Sequence, residues 1–364
     1  MINSTTKKRR QSNIELLRII SILLILVTHA DFWALGEPSY SDLASDFMSG
    51  YTRIFIESLS IICVNIFVLI SGWFTIRASL KSILKLLFQV YFLLIAIYLI
   101  YILLRWDTIN LRSISQCFIF GHEFWFIKAY LGLLILSPVL NTFANNVSEK
   151  VFRIVLIVFL SYQCIYGWIT PGAWFLHYGY SVTSFAGLYL LARYIKLYVI
   201  ENENENGLSL LMWCKKQPKI FYLLMFFGLT FLNSIMYLLG YYLPIVGLHV
   251  RTMAFAISNP IIILQSLSLL LYFHNLKVRY TPTINILASS SLSVFILQSS
   301  QNATLYKNII NHVFNNYNGL GCMMIIFSII IVYFIIGILL DQVRKYLWNK
   351  IEYKVPDVSF YDND

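Results

Sequence analysis

Ile14-Glu15-Leu16-Leu17-Arg18-Ile19-Ile20-Ser21-Ile22-Leu23-Leu24-Ile25-Leu26-Val27-Thr28-His29, running on to Leu35, decides how the rest of the chain is read. The stretch is long and apolar enough to cross the hydrocarbon of a bilayer as one helix. It follows the basic run Lys7-Lys8-Arg9-Arg10. It exceeds the apolar region of a secretory leader, and no small-x-small cleavage signal follows closely. A first permanent transmembrane span is therefore expected at 14–35.

Outward from this block, apolar stretches of span length recur at 54–75, 82–104, 124–140, 151–169, 181–200, 220–240, 252–273, 284–300 and 321–340. The pattern predicts an all-α, polytopic membrane bundle of about ten transmembrane helices. If the N-terminus is cytoplasmic, the loops on its side collect 20 of the 27 Lys and Arg residues, and those on the far side collect five. That asymmetry follows the positive-inside rule and puts both termini in the cytoplasm. It also accounts for the net charge of +10, so nucleic acid is not an expected partner, whereas membrane lipid is. Hydrophobic residues make up 59% of the chain and charged residues 12%, a balance that one soluble core cannot hide. The expected division is a basic N-terminus at 1–13, a transmembrane domain at 14–341 and a cytoplasmic tail at 342–364. The polar repeat Glu201-Asn202-Glu203-Asn204-Glu205-Asn206 opens a flexible linker at 201–218. The cysteines Cys63, Cys117, Cys164, Cys214 and Cys322 are scattered and form no CxxC pair, so no metal site is expected.

Ionisable groups inside spans are costly and mark functional candidates. Arg18 and His29 are eleven residues apart, three turns plus about 20°, so they share one face about 16 Å apart along the helix. Glu15, one turn before Arg18, can pair with it. The pair suits a long anionic substrate, with Arg18 gripping phosphate at the cytoplasmic mouth and His29 acting deeper as a general base. The alternative is a packing histidine and an arginine reaching for lipid headgroups. Arg77, Lys81 and Lys85 recur every four residues, as a second phosphate grip or as ordinary topology-setting charge. Ser71-Gly72 permits close helix approach. His122, Glu123 and Trp125 form a polar and aromatic cluster, suited to sugar binding or to an interfacial belt. His177, His249, His274 and His312 fall in or near loops and are not expected to act in catalysis.

These segments resemble the membrane acyltransferase-3 family. Ile14–Arg18 through His29 is similar to that family's opening, an arginine, ten residues and a histidine. Phe67-Val68-Leu69-Ile70-Ser71-Gly72-Trp73-Phe74 resembles its phenylalanine-rich Ser-Gly motif. Phe124-Trp125-Phe126-Ile127-Lys128-Ala129-Tyr130-Leu131-Gly132, with Pro138, resembles its Trp-Phe-Leu motif. The motifs arrive in the family's order, and the ten-span layout covers essentially the whole chain. Ser291-Leu292-Ser293-Val294-Phe295-Ile296-Leu297-Gln298 departs from the family pattern, which commonly ends in histidine. Glutamine can hydrogen-bond but cannot shuttle a proton at neutral pH.

The resemblance implies a multi-pass protein of a bacterial-type inner membrane. It would transfer an acyl group, usually acetyl, from cytoplasmic acyl-CoA to a hydroxyl of a cell-surface or lipid-linked glycan. Acyl-CoA would be a donor substrate, with no permanently bound cofactor. On that reading Arg18, with Arg77, Lys81 or Lys85, holds the phosphates. His29 is the catalytic base or acyl carrier, and Ser71, Trp125, His122, Glu123 and Gln298 support or bind the acceptor. The rival reading is a lipid-linked glycan transporter or flippase without acyl transfer, which has no need of Arg18 and His29 on one face.

Overall fold

The computed structural model describes residues 10–104, 109, 111–118, 124–170, 172, 175–201, 213–299, 302–356 and 358–360. In hydrocarbon each backbone N–H must find its carbonyl within the same element, so apolar segments become helices. The first is α1 (Ser12–Thr28), which continues as a π-helical turn at His29–Trp33. Next come α2 (Tyr40–Ser45), α3 (Phe47–Ser60), α4 (Cys63–Phe74), α5 (Leu80–Leu103) and α6 (Leu111–Phe118). Then follow α7 (Trp125–Asn146), α8 (Glu149–Ile169), α9 (Val182–Tyr194), α10 (Lys219–Leu239), α11 (Gly247–Ala254) and α12 (Pro260–His274). The last are α13 (Pro282–Ala288), α14 (Ser291–Ser299), α15 (Asn302–Asn316) and α16 (Gly319–Ile351). Among the described residues the only β pairing is an antiparallel bridge between Ser79 and Ser359.

Polar residues in the breaks start the helices by accepting their orphan N–H groups. Ser79 and Ser82 form a capping box on α5, Ser148 caps α8, Ser181 caps α9, and Asn259 caps α12 ahead of Pro260. At the centre, α1 packs against α3, α4, α12, α13 and α14. On one flank α9 lies against α4, α7 and α8; on another α10 lies against α3, α11 and α12; α16 closes on α14 and α5. The Ser-Gly expectation holds physically: a Cβ on Gly72 would strike the Tyr189 carbonyl and lie 2.9 Å from the Ala192 Cβ, so α4 and α9 touch backbone to backbone. Gly337 likewise admits Val294, whose Cα would be 2.7 Å from an added Cβ, which seats α14 on α16.

Among the described residues, seven helices are long and apolar enough to cross a membrane: Ser12–Trp33, Phe47–Phe74, Leu80–Leu103, Trp125–Asn146, Glu149–Ile169, Lys219–Leu239 and Gly319–Lys354. The chain is thus an all-helical multi-pass membrane protein. The other three expected spans take a different form. α9 passes into a π-helical stretch at Ile195–Ile200, α12 is 15 residues long, and 282–299 is broken at Ser289-Ser290 into α13 and α14. Of these segments α14 is the one packed inside the bundle, with all of its residues but Leu292 buried, whereas Leu264 of α12 and Ile286 of α13 are exposed. One expected span end also moves: the run expected to stop at 140 continues as α7, with Pro138 inside it, to Asn146. α16 runs unbroken through position 341. Residues 202–212 of the expected linker lie outside the described residues.

One end of the bundle gathers both described ends of the chain. Ser12 Oγ donates to Asn285 Oδ1 at 3.4 Å and accepts from Thr281 N at 2.9 Å. Lys345 Nζ reaches Ser289 Oγ at 2.6 Å, on the turn just past Asn285. The residues after α16 then cross to the start of α5: Leu80 N donates to Val358 O at 2.9 Å, and Lys81 pairs with Glu352 at 3.6 Å. A buried polar knot fixes this end. Asp341 Oδ1 accepts from Ser293 Oγ at 2.7 Å, Gln89 Nε2 at 3.2 Å and Arg344 Nη2 at 2.7 Å, which ties α5, α14 and α16 together.

Candidate active site

His29 sits where α1 changes to the π-helical turn. A π turn inserts one residue into the ladder, and such insertions recur at functional sites. Its Nδ1–H donates to Oε1 of Gln298, which is fully buried near the end of α14, and the same oxygen accepts from Ser299 Oγ at 3.2 Å. Holding Nδ1 as the donor fixes the imidazole tautomer and leaves Nε2 with a free lone pair. Trp33 and Phe295 flank the ring, with centroids 5.3 and 6.5 Å away. Thr28 Oγ1 donates to Ser60 Oγ at 2.8 Å and ties this part of α1 to α3.

His29 opens into a cavity of about 450 Å³, within the size range of small-molecule sites. Its walls come from six parts of the chain: the α1 end, α3–α4, the start of α7, Tyr180 before α9, Phe255 and Ile257 before α12, and the α14 end. Asn65 fixes one wall by donating to the Ile257 carbonyl at 2.9 Å. Trp125 stands over Tyr180 edge to face at 4.5 Å. Among the described residues no group of three or more His, Cys, Asp or Glu side chains is placed to hold a metal ion.

The structure brings His29, Gln298 and Trp125 together around this cavity, and Arg18, Ser71, Arg77, Lys81 and Lys85 are not among its lining residues. Arg18 pairs with Glu15 at 3.6 Å and is not among the lining residues. Ser71 Oγ donates to the Phe67 carbonyl at 2.9 Å and meets the Tyr130 hydroxyl at 3.2 Å. The regular stripe expected of Arg77, Lys81 and Lys85 does not form. Arg77 precedes the capping box and is exposed in the 75–79 connection, so only Lys81 and Lys85 share a helix. His122 and Glu123 lie outside the described residues. A second cavity of about 270 Å³ at the opposite end of α1 is lined by Arg10, His274 and Lys277.

Three acidic or basic groups escaped the sequence reading. Glu57 is buried and lines the His29 cavity. Asp31, on the π turn, pairs with Arg53 at 2.7 Å. The signal was present, because Glu57 falls inside the apolar block 54–75 and the rule applied to the first span applies equally there.

The site and its scaffold can be set beside known sequences. A family model described as an acyltransferase domain matches residues 11–342. The chain belongs to the acyltransferase-3 family. Neither the curated proteins nor the solved structures gave a match. The family-like segments now have places in space. The opening motif supplies His29, and the Trp-Phe segment supplies Trp125 and Phe126 to the same cavity. The helix bearing the Ser-Gly motif contributes Cys63 and Val64 to the cavity wall. The late motif contributes Gln298, and in this acyltransferase that glutamine contacts the histidine directly.

Proposed function

We propose that this protein is an O-acyltransferase that moves an acyl group, acetyl in the first instance, from cytoplasmic acyl-CoA to a hydroxyl of a cell-surface or lipid-linked glycan. The observation that carries the reading is the His29 imidazole, held through Nδ1 by Gln298 and opening into a cavity. Membership of the acyltransferase-3 family supports the reaction class.

In this reading the acceptor hydroxyl enters the cavity and gives its proton to His29 Nε2 as its oxygen attacks the thioester carbonyl carbon. The tetrahedral adduct collapses, the C–S bond breaks, and the thiolate of coenzyme A takes the proton from the imidazolium. The products are the O-acyl ester and free coenzyme A. Gln298 keeps the imidazole in the orientation the step needs. An acyl-histidine route would use the same nitrogen, and trapping a labelled acyl-enzyme after an acid quench would assign His29 that role instead. Arg18, with Arg77, Lys81 and Lys85, is proposed to meet the donor's phosphates at the N-terminal end of α1.

The proposal includes ten crossings of a bacterial-type inner membrane with both termini in the cytoplasm. Seven crossings would leave the chain's ends on opposite faces, whereas Ser12 and Lys345 both meet the segment around Asn285–Ser289. An even number follows if the segments α9, α12 and α13–α14 also traverse. The cavity residues on α1, α7, α14 and the segment before α9 then all fall at the outward ends of their spans.

The test is His29→Ala in membranes supplied with labelled acetyl-CoA, with glycan-bound acetate as the readout. A loss of at least a hundredfold is expected from the magnitude of general acid–base catalysis. Undiminished acetylation by a normally inserted variant would sink the assignment. Reduced glycan export with unchanged acetylation per glycan would indicate a transporter. Arg18→Ala is expected to weaken acyl-CoA binding by about tenfold; equal binding removes its phosphate role.

A further inference from the structure

We infer that Glu57 and the aromatic walls of the His29 cavity form a seat for one pyranose ring of the acceptor, and that this seat favours neutral or amino sugars over uronic acids. The inference rests on the acyl-transfer reading and narrows its acceptor.

Glu57 is 3% exposed and has no hydrogen-bond partner for its Oε2. Burying a carboxyl without partners is expensive, so a ligand that supplies them repays a cost already built into the fold. The nearest cation is committed elsewhere. Arg53, one turn earlier on α3, donates through Nε to Asp31 at 2.7 Å and through Nη2 to the Gly36 carbonyl. Glu57 is therefore left to the cavity it lines together with His29.

Aromatic side chains, Trp33, Trp125, Tyr180 and Phe255 among them, stand around the same space beside aliphatic ones such as Ile61 and Ile257. A pyranose presents apolar C–H faces and a rim of hydroxyls. Rings receive the faces, and a carboxyl accepts from the rim, so the two features together fit a sugar better than either a fatty chain or a free phosphate. A bound hydroxyl held by Glu57 would be presented to His29 Nε2 across the cavity. A uronate would have to bury its own carboxylate among these side chains beside the Glu57 carboxyl, with Arg53 already paired to Asp31, and a buried charge without a partner is costly.

The experiment uses the full chain in lipid nanodiscs with labelled acetyl-CoA. The acceptor probes are the methyl glycosides of glucose, N-acetylglucosamine and glucuronic acid, each against wild type, Glu57→Gln and Glu57→Ala. Acetyl-CoA binding is measured separately on each. The expected result is transfer to the neutral probes ahead of glucuronate. Glu57→Ala should raise the acceptor KM at least tenfold while acetyl-CoA binding stays within twofold, and Glu57→Gln should narrow the preference against glucuronate. If Glu57→Ala does not assemble, the donor-binding Glu57→Gln variant carries the test alone. An unchanged acceptor KM in the variants, a fall in kcat alone, or wild-type preference for glucuronate overturns the inference. Wild-type protein that binds acetyl-CoA but acetylates none of the three sugars overturns it too, with the acyltransferase reading intact. Wild-type protein that binds no acyl-CoA overturns that reading and this inference together.

Discussion

At the scale of single residues, the site turns on a contact between two neutral side chains. Gln298 cannot move a proton, yet its carbonyl oxygen decides which imidazole nitrogen is free. Gln298→Leu keeps much of the volume and removes the acceptor. It is expected to lower acyl transfer about tenfold to a hundredfold with acyl-CoA binding unchanged, and to cost about 1–3 kcal/mol for the orphaned N–H. Steady-state kinetics and thermal unfolding of the purified variant measure the two effects, and full activity would show that His29 needs no holder. The candidate site was only partly legible in the sequence. His29 announced itself because a histidine in an apolar span is costly, and Trp125 because it sat in a recognisable motif. Glu57 lay equally open, in an apolar block, and was passed over. The link between His29 and Gln298 was not readable at all, because no local pattern encodes a contact between residues 269 apart.

At the scale of elements, glycine spacing and buried polar knots hold the helices, as expected where lipid offers no hydrophobic drive between them. Gly72→Val would push a side chain into the Tyr189 backbone; it is expected to cost about 1–3 kcal/mol of stability. Gly228, on α10, has open space where a Cβ would go, so Gly228→Val should leave the detergent melting temperature close to wild type. Equal destabilisation by both would remove the close α4–α9 approach as the cause. Asp341→Leu strips the shared acceptor from Arg344, Gln89 and Ser293; a loss of about 3–5 kcal/mol is expected, read by chemical unfolding. Helix existence was legible from apolar runs, and the Ser-Gly approach from residue size. Helix ends were less so. The apolar run 124–140 stops two residues after Pro138, but in a membrane bundle neighbouring groups can re-satisfy the carbonyl a proline frees, and α7 continues to Asn146. The even spacing of Arg77, Lys81 and Lys85 suggested one stripe, but the Ser79 capping box starts α5 only after Arg77.

At the scale of the whole molecule, composition alone gave the membrane and the helical class, while the count of crossings depended on which apolar segments face lipid. Length and hydropathy pick out apolar runs but do not say what surrounds them: the run 284–300 was read as a span, yet it holds α14, which is packed in protein. Orientation is open to a direct measurement. With native cysteines replaced, Lys215→Cys is expected to react with an impermeant thiol reagent only after the cytoplasmic face is opened. Ile245→Cys, 93% exposed in the native chain between α10 and α11, should react in intact cells. The reverse pattern would invert the topology.

The His29–Gln298 contact also bears on how the protein comes into being. Membrane insertion proceeds from the N-terminus as the ribosome works. The histidine therefore enters the bilayer among the first residues, while the glutamine that sets its tautomer arrives after most of the chain has been made. Nascent and prematurely terminated chains carry that imidazole without its hydrogen-bond partner. On the proposed acyl-transfer reading, full activity waits until the segment bearing Gln298 has been made and packed.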